Sequence, residues 1–203
     1  MKNTREFLKS SYKNIRSSKR TDVLHNAILE DNLIAEPKWR KFTWKHEYKL
    51  KEDGRGGTFA IDIAGFDENN KLKIAILAKS LCSNVNKNMK NYANTTSGEV
   101  ERITCSPLID FEALEKIIFF TALPRLAPRF NKKGVVTGVD DVVKAKKRSH
   151  FNHVRKRNPD WSKVSEVNLW YDIDKLDEKR EMDDIESFLK FLEQQAADDT
   201  EEL

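Results

Sequence analysis

Two charged side chains interrupt a stretch of the chain that is otherwise strongly apolar. Residues 58–80 predict two strands joined by a polar turn at 67–70, because apolar and small residues alternate before the turn and a second apolar run follows it. Asp62 lies within the first strand and Lys79 at the end of the second. Burying a polar group without a partner costs about 2–7 kcal/mol, and a charge costs more. We therefore expect Asp62 and Lys79 to face each other or a ligand from outside the chain.

An Asp on one strand and a Lys at the end of the next resembles the core of the restriction-endonuclease-like nucleases, the PD-(D/E)xK superfamily. In that superfamily the Asp and a second carboxylate, two residues before the Lys, hold magnesium, and the Lys orients or activates the attacking water. Asp62 matches the first carboxylate and Lys79 the lysine, whereas the position of the second carboxylate is taken by Leu77. The resemblance covers roughly residues 20–125. It implies a DNA endonuclease of restriction or phage type that depends on Mg²⁺ or Mn²⁺.

One carboxylate alone rarely holds magnesium, so Asp62 needs a further ligand that Leu77 cannot provide. The candidates are Glu99 on the helix after the second strand, Glu47 on the neighbouring strand and Glu30 on the preceding helix. Glu99 is ranked first, followed by Glu101 on the same helix. The predicted catalytic residues are Asp62, Lys79 and Glu99, and the predicted metal ligands are Asp62, Glu99 and Glu47. His46, on the apolar side of its strand, is expected to be a satisfied core histidine.

Two other functions remain open from the sequence. If no second carboxylate reaches Asp62, the chain is a catalytically inactive nucleic-acid-binding protein that retains the nuclease fold, and Asp62 and Lys79 form a buried ion pair. A third possibility is a protein-interaction module whose acidic C-terminal helix docks on a partner.

Charge is distributed unevenly along the chain, although the formal net charge is only +4. Residues 172–203 carry 13 acidic and 4 basic side chains, which leaves 33 basic and 20 acidic side chains on the other residues. A basic body favours a polyanionic partner. The acidic tail is free to bind a basic partner or to compete for the nucleic-acid groove of its own chain, or it only keeps the protein soluble.

Two segments are predicted to contact nucleic acid. Residues 144–157 hold seven Lys and Arg and two His without one acid, a density that repels itself unless an anion lies against it. Residues 84–94 are rich in asparagine, whose amide bonds phosphate oxygens and base edges equally well. A solvated basic face and a polar loop are the respective alternatives. The predicted contacts are Asn84, Lys87, Asn88, Lys144, Lys146, Lys147, Arg148, Arg155, Lys156 and Arg157.

Hydrophobic spacing predicts a mixed α/β (α+β) domain with a central mixed β-sheet. Alternation over 42–50 places a strand before the hairpin, which gives an antiparallel meander of three strands flanked by helices. The apolar run at 117–123 predicts a buried fourth strand, with a helix as the alternative, and 167–173 predicts the last strand. One helix is expected to begin at Thr21, and a capping box at 96–99 predicts the start of another.

The predicted organisation has three parts. Residues 1–20 form a basic N-terminal arm, residues 21–175 form the nuclease-like core with its basic segment, and residues 176–203 form an amphipathic helix with an acidic tail. Within the core, residues 124–129 contain two Pro and two Arg and predict a stiff basic loop. The apolar stripe of the C-terminal helix consists of Met182, Ile185, Phe188, Leu189 and Leu192.

Composition indicates a soluble, cytoplasmic protein that does not bind membranes. No run approaches the ~20 apolar residues of a membrane span, and the first residues have no apolar signal core. Cys82 and Cys105 lie in no metal-ligand spacing, so both are expected to be buried, reduced thiols. A homodimer is a further expectation, since cutting both strands of a duplex commonly requires two active sites.

Overall fold

The computed structural model describes residues 22–34, 37–50, 57–147 and 161–172. The predicted arm at 1–20 and the predicted helix and tail at 176–203 lie outside these residues. The same holds for Arg148, Arg155, Lys156 and Arg157. No helix within the described ranges is long and apolar enough to cross a membrane.

A helical segment precedes the sheet, as the sequence predicted. Helix α1 (Asp22–Ile28) continues into a π-helical turn (Leu29–Ile34), and a 3-10 turn (Pro37–Lys41) leads into the first strand. Leu24 and Ala27 on α1 are buried against the sheet. This packing fixes the position of the residues between them, including His25.

The first three strands form the antiparallel meander that the alternating sequence predicted. Strand β1 (Thr43–Leu50) pairs with β2 (Phe59–Phe66), and β2 pairs with β3 (Leu72–Ser80). The β2–β3 turn is held by Asp67, whose carboxylate accepts two backbone N–H groups of the turn at 2.9 Å. Because the turn sets the register, it decides which residues of β3 lie beside Asp62.

The crossover from β3 brings the next strand in parallel. Helix α2 (Val85–Thr104) follows β3 and leads to β4 (Lys116–Pro124), which pairs with β3 in parallel. The apolar run at 117–123 is thus a buried strand rather than a helix. A parallel connection of this kind must pass over one face of the sheet, and here α2 covers that face.

A hairpin and a short helix lie between β4 and the last strand. Strands β5 (Leu126–Phe130) and β6 (Val136–Asp141) form a two-stranded sheet among the described residues, and helix α3 (Val142–Lys147) follows them. Strand β7 (Val164–Tyr171) pairs with β4 in parallel and completes a mixed five-stranded sheet of order β1-β2-β3-β4-β7. The described part of the chain therefore has the predicted α/β class with a mixed central sheet.

Each face of the sheet has its own apolar core. Along β3, Ile74 and Ile76 belong to the core shared with α1, whereas Ala75 and Leu77 belong to the core shared with α2. Lys79 follows Leu77 by two residues and therefore points to the α2 face.

Several predicted elements differ from the structure. Helix α2 begins at Val85, not at residue 96, because Val85, Met89 and Tyr92 supply a buried stripe that outweighs the low helix propensity of the asparagines between them. The predicted stiff loop at 124–129 is largely strand β5. Cys82 is buried as expected, but Cys105 is exposed.

Candidate functional site

The candidate site lies where β2 and β3 stop pairing. The register between the two strands ends at Ile63 and Ile76, and Asp62 is the next residue of β2. The Asp62 carboxylate turns toward β3 and accepts the backbone N–H of Ala78 at 2.6 Å. A side-chain oxygen thus takes the place of a strand carbonyl, and the two strands separate around a carboxylate.

Lys79 meets a carboxylate from the crossover helix. Its ammonium nitrogen lies 2.5 Å from Oε1 of Glu99, and both side chains are mostly buried. The other Glu99 oxygen, Oε2, is buried and has no hydrogen-bond partner among the described residues. Leu77, at the position of the missing second carboxylate, is 1% exposed and packs in the apolar core on the α2 face. The carboxylate absent from β3 therefore has a counterpart on α2.

A second cluster approaches Asp62 from the other side. The His25 Nδ1 atom lies 2.9 Å from Glu47 Oε1, and its Nε2 atom lies 3.8 Å from Asp62 Oδ2. One ligand atom from each of the three residues lies within 4.8 Å of the other two. Sequence reasoning identified Glu47 and Asp62 but missed His25. Glu30, another candidate ligand, is exposed and is not a member of this group.

Local backbone strain marks the same place. Glu47 has φ of 47°, in the left-handed region that non-glycine residues avoid. It lies between His46 and Tyr48, which pair with Ile63 and Ile61 across the ladder. Strained conformations of this kind cost about 1–3 kcal/mol and concentrate at functional sites. The strain turns Glu47 out of the regular β1 pattern toward His25.

The His25–Glu47–Asp62 group has the donor set of a divalent-metal site. Two ligands of one Mg²⁺ ion, each at 2.0–2.1 Å, lie at most about 4.2 Å apart, so a separation of up to 4.8 Å closes with shifts of a few tenths of an ångström. Asp62 and Glu47 offer the carboxylate oxygens that Mg²⁺ and Mn²⁺ prefer, and the His25 imidazole offers a nitrogen between them.

Burial shifts the acidity of the site. It raises the pKa of the Asp62 carboxyl, an effect that His25, the Ala78 N–H and Lys79 only partly counter. It also raises the pKa of Glu99, against the opposing effect of Lys79. Because Asp62 and Lys79 act on each other, and Asp62 also acts on Glu99, the three groups form one electrostatic unit. Burial lowers the pKa of His46, whose Nε2 has no hydrogen-bond partner within the described chain, so His46 is not the satisfied histidine that was expected.

A buried polar layer continues from Lys79 under α2. Thr121 is the β4 neighbour of Lys79, and its hydroxyl lies 2.9 Å from Tyr92 Oη. Tyr92 also donates to Glu166 at 3.0 Å, and Lys146 forms an ion pair with the same Glu166 oxygen. Lys146, which the sequence assigned to the nucleic-acid surface, is thus held by Glu166. This lysine is 8% exposed and points into the protein, and burial lowers its pKa.

The other predicted nucleic-acid contacts have mixed surroundings. Lys87 and Lys144 are exposed, and Asn88 is half-buried on α2. Asn84 has a structural task, since its side-chain oxygen accepts the Phe130 N–H at 2.9 Å. The backbone of Lys147 lies at the end of α3, and its side chain lies outside the described atoms.

No protein-family model, no curated protein and no solved structure matches this chain.

Proposed function

We propose that this protein is a divalent-metal-dependent nuclease that hydrolyses phosphodiester bonds of DNA. The observation that carries the proposal is the convergence of His25, Glu47 and Asp62 beside the Lys79–Glu99 pair at the point where β2 and β3 separate. A restriction-endonuclease-like core is consistent with the three-stranded meander, the crossover helix and the parallel fourth strand.

The roles follow from the chemistry of each group. Asp62, Glu47 and the His25 imidazole would together hold Mg²⁺ or Mn²⁺. A bound divalent ion supplies charge stabilisation and a nucleophilic hydroxide near neutral pH. Lys79, held by Glu99, would donate to a phosphate oxygen or orient the attacking water. The exposed Lys87 and Lys144 add to the basic surface that a nucleic-acid backbone requires.

Plasmid cleavage in Mg²⁺ or Mn²⁺ tests the proposal. We expect Asp62→Asn and Lys79→Met each to lower the cleavage rate by at least ~100-fold, because each removes a group that acts on the developing charge. Glu68→Gln and Lys71→Met are matched controls, since both residues are exposed and lie in the turn of the same hairpin. Cleavage that survives both site substitutions would contradict the assignment.

A catalytically inactive nucleic-acid-binding protein is the second candidate. It is favoured by one observation: Leu77 occupies the usual carboxylate position, and Glu99 is already engaged by Lys79. Salt-dependent gel shifts without metal, together with no cleavage by the unmodified chain, would select this candidate. Absence of binding to DNA or RNA at ~50 mM salt would exclude both and leave a protein-interaction module.

A further inference from the structure

The β5–β6 hairpin presents an apolar face to solvent. Leu126, Pro128 and Phe130 alternate along β5, and Val139 and Val136 lie opposite the last two. We call these five residues the outer hairpin face. Leu126, Val136 and Val139 are 60%, 55% and 59% exposed. A contiguous exposed apolar face is a feature of docking surfaces.

The opposite face of the hairpin is fixed to the domain. Asp140 is 1% exposed and accepts hydrogen bonds from the Asn86 backbone and side chain at 3.1 and 2.9 Å. It also accepts two from Arg129, at 3.0 and 2.7 Å. Ala127 is buried in the core that α2 and α3 share. The hairpin is therefore anchored to the domain through its inner face, while Leu126, Val136 and Val139 of its outer face are exposed.

The acidic C-terminal segment begins at the base of this hairpin. The described chain ends at Asp172, whose carboxylate lies 3.7 Å from Nε of Arg125. The backbone N–H of Arg125 donates to the backbone carbonyl of Tyr171 at 2.8 Å. Arg125 directly precedes Leu126 in the chain. The described chain therefore ends next to the outer hairpin face.

The charge and the length of residues 173–203 are complementary to the outer hairpin face and its turn. Residues 173–203 hold 12 acidic and 4 basic side chains, and the hairpin turn carries Lys132 and Lys133, which are exposed and make no ion pair with a described residue. The apolar stripe from residue 182 to 192 would extend about 16 Å as a helix. The five residues of β5 extend about 17 Å.

We propose that residues 173–203 dock on the outer hairpin face of their own chain, with the apolar stripe against the valines and the acidic side chains near Lys132 and Lys133. Docking would remove two lysines from the basic surface. It requires no catalytic activity and stands independently of the nuclease proposal.

Thiol labelling of the full-length chain tests this docking. The background is Cys105→Ser, in which buried Cys82 is the remaining cysteine. In one variant Val139→Cys introduces a thiol on the outer hairpin face, and in a second variant Glu68→Cys introduces an exposed reference thiol. We expect the thiol at position 139 to react about fivefold more slowly than the reference. Ile185→Ser, Phe188→Ser and Leu192→Ser together should remove the difference.

The matched control is Asp183→Ser, Lys190→Ser and Gln194→Ser, which changes as many residues of the segment without touching the stripe or the net charge. It should leave the slow reaction unchanged. Equal reaction rates in the starting protein would overturn the proposal. So would slow reaction that survives loss of the stripe, or protection that increases with protein concentration, which would identify a second copy as the occupant.

Discussion

Asp140 in the β5–β6 hairpin and the Asp62 and Glu99 carboxylates of the candidate site are all largely buried, but their surroundings differ. Asp140 receives four hydrogen bonds from Arg129 and Asn86. Asp62 receives one from a backbone N–H, and one oxygen of Glu99 has no partner in the described structure. Burial alone would raise the pKa of Asp140, but its donors lower it overall, whereas the pKa values of Asp62 and Glu99 are raised.

The difference separates a structural carboxylate from a candidate functional one. Every oxygen of Asp140 is used to hold the hairpin, so the chain stabilises that charge by itself. The carboxylates at the β2–β3 opening lack sufficient donors, and a cation would supply what is missing. We therefore expect the two places to respond in opposite ways to substitution, metal and pH.

The largest effect should come from the hairpin anchor. Asp140→Ala removes the acceptor of four hydrogen bonds and should lower the free energy of unfolding by about 2–3 kcal/mol. Urea unfolding measures this change. Glu68→Ala, at an exposed turn position, should change stability by no more than about 0.5 kcal/mol. A loss as small as that of the control would mean that Asp140 does not anchor the hairpin.

Metal should stabilise the protein only through the candidate site. At a Mn²⁺ concentration ten times its Kd, binding to the folded state adds about 1.4 kcal/mol to the free energy of unfolding. We expect a rise in Tm that disappears in Asp62→Asn and is weakened in His25→Gln. Asp140→Asn should show the same Mn²⁺-dependent rise in Tm as the unmodified protein. An equal shift in all variants would place the metal elsewhere.

The smallest effect is a difference in pH dependence, measured with a chelator present. The pKa of Asp62 is raised in the folded state, so Asp62 ionises at lower pH in the unfolded chain than in the folded protein. The free energy of unfolding therefore falls as pH rises from the unfolded pKa to the folded pKa, and the loss is complete above the folded pKa. The free energy of unfolding of Asp62→Asn should equal that of the unmodified protein near pH 3.5. Near pH 8 it should be larger by on the order of 1 kcal/mol.

Asp140 provides the opposite sign. Its folded pKa is lowered, so its contribution is present above the ordinary Asp pKa of 3.8 and is lost as pH falls through the folded pKa. The stability difference between the unmodified protein and Asp140→Asn should therefore shrink in acid. Parallel pH profiles for the two variants would show that the two places are not distinct.

The predictable parts of the fold are those with local patterns. Alternation in β1 and β2 has the period of a strand, and the apolar run of β4 has the length of a buried strand, although that run alone left a helix open. The hairpin of β5 and β6 was missed because its pairing depends on contacts with α2, which no local pattern records. The start of α2 was missed because its asparagines are weak helix formers, and burial of Val85 and Met89 compensates for them.

The candidate site was predictable where it depended on neighbouring strands. Asp62 and Lys79 stand out as charges in apolar runs, and Glu99 lies on the helix that follows. His25 gave no such signal, since its approach to Asp62 depends on how α1 packs across the sheet. Lys146 was assigned to the surface because a run of basic residues does not reveal which member turns inward.

The parallel pairing of β3 with β4 has a consequence for access. The obligatory crossover lays α2 over the face toward which Lys79 points, and α1 covers the other face beside Asp62. Both faces of the sheet are thus covered beside the site, so a nucleic-acid backbone would have to reach the two groups through the gap between β2 and β3 beyond Ile63 and Ile76.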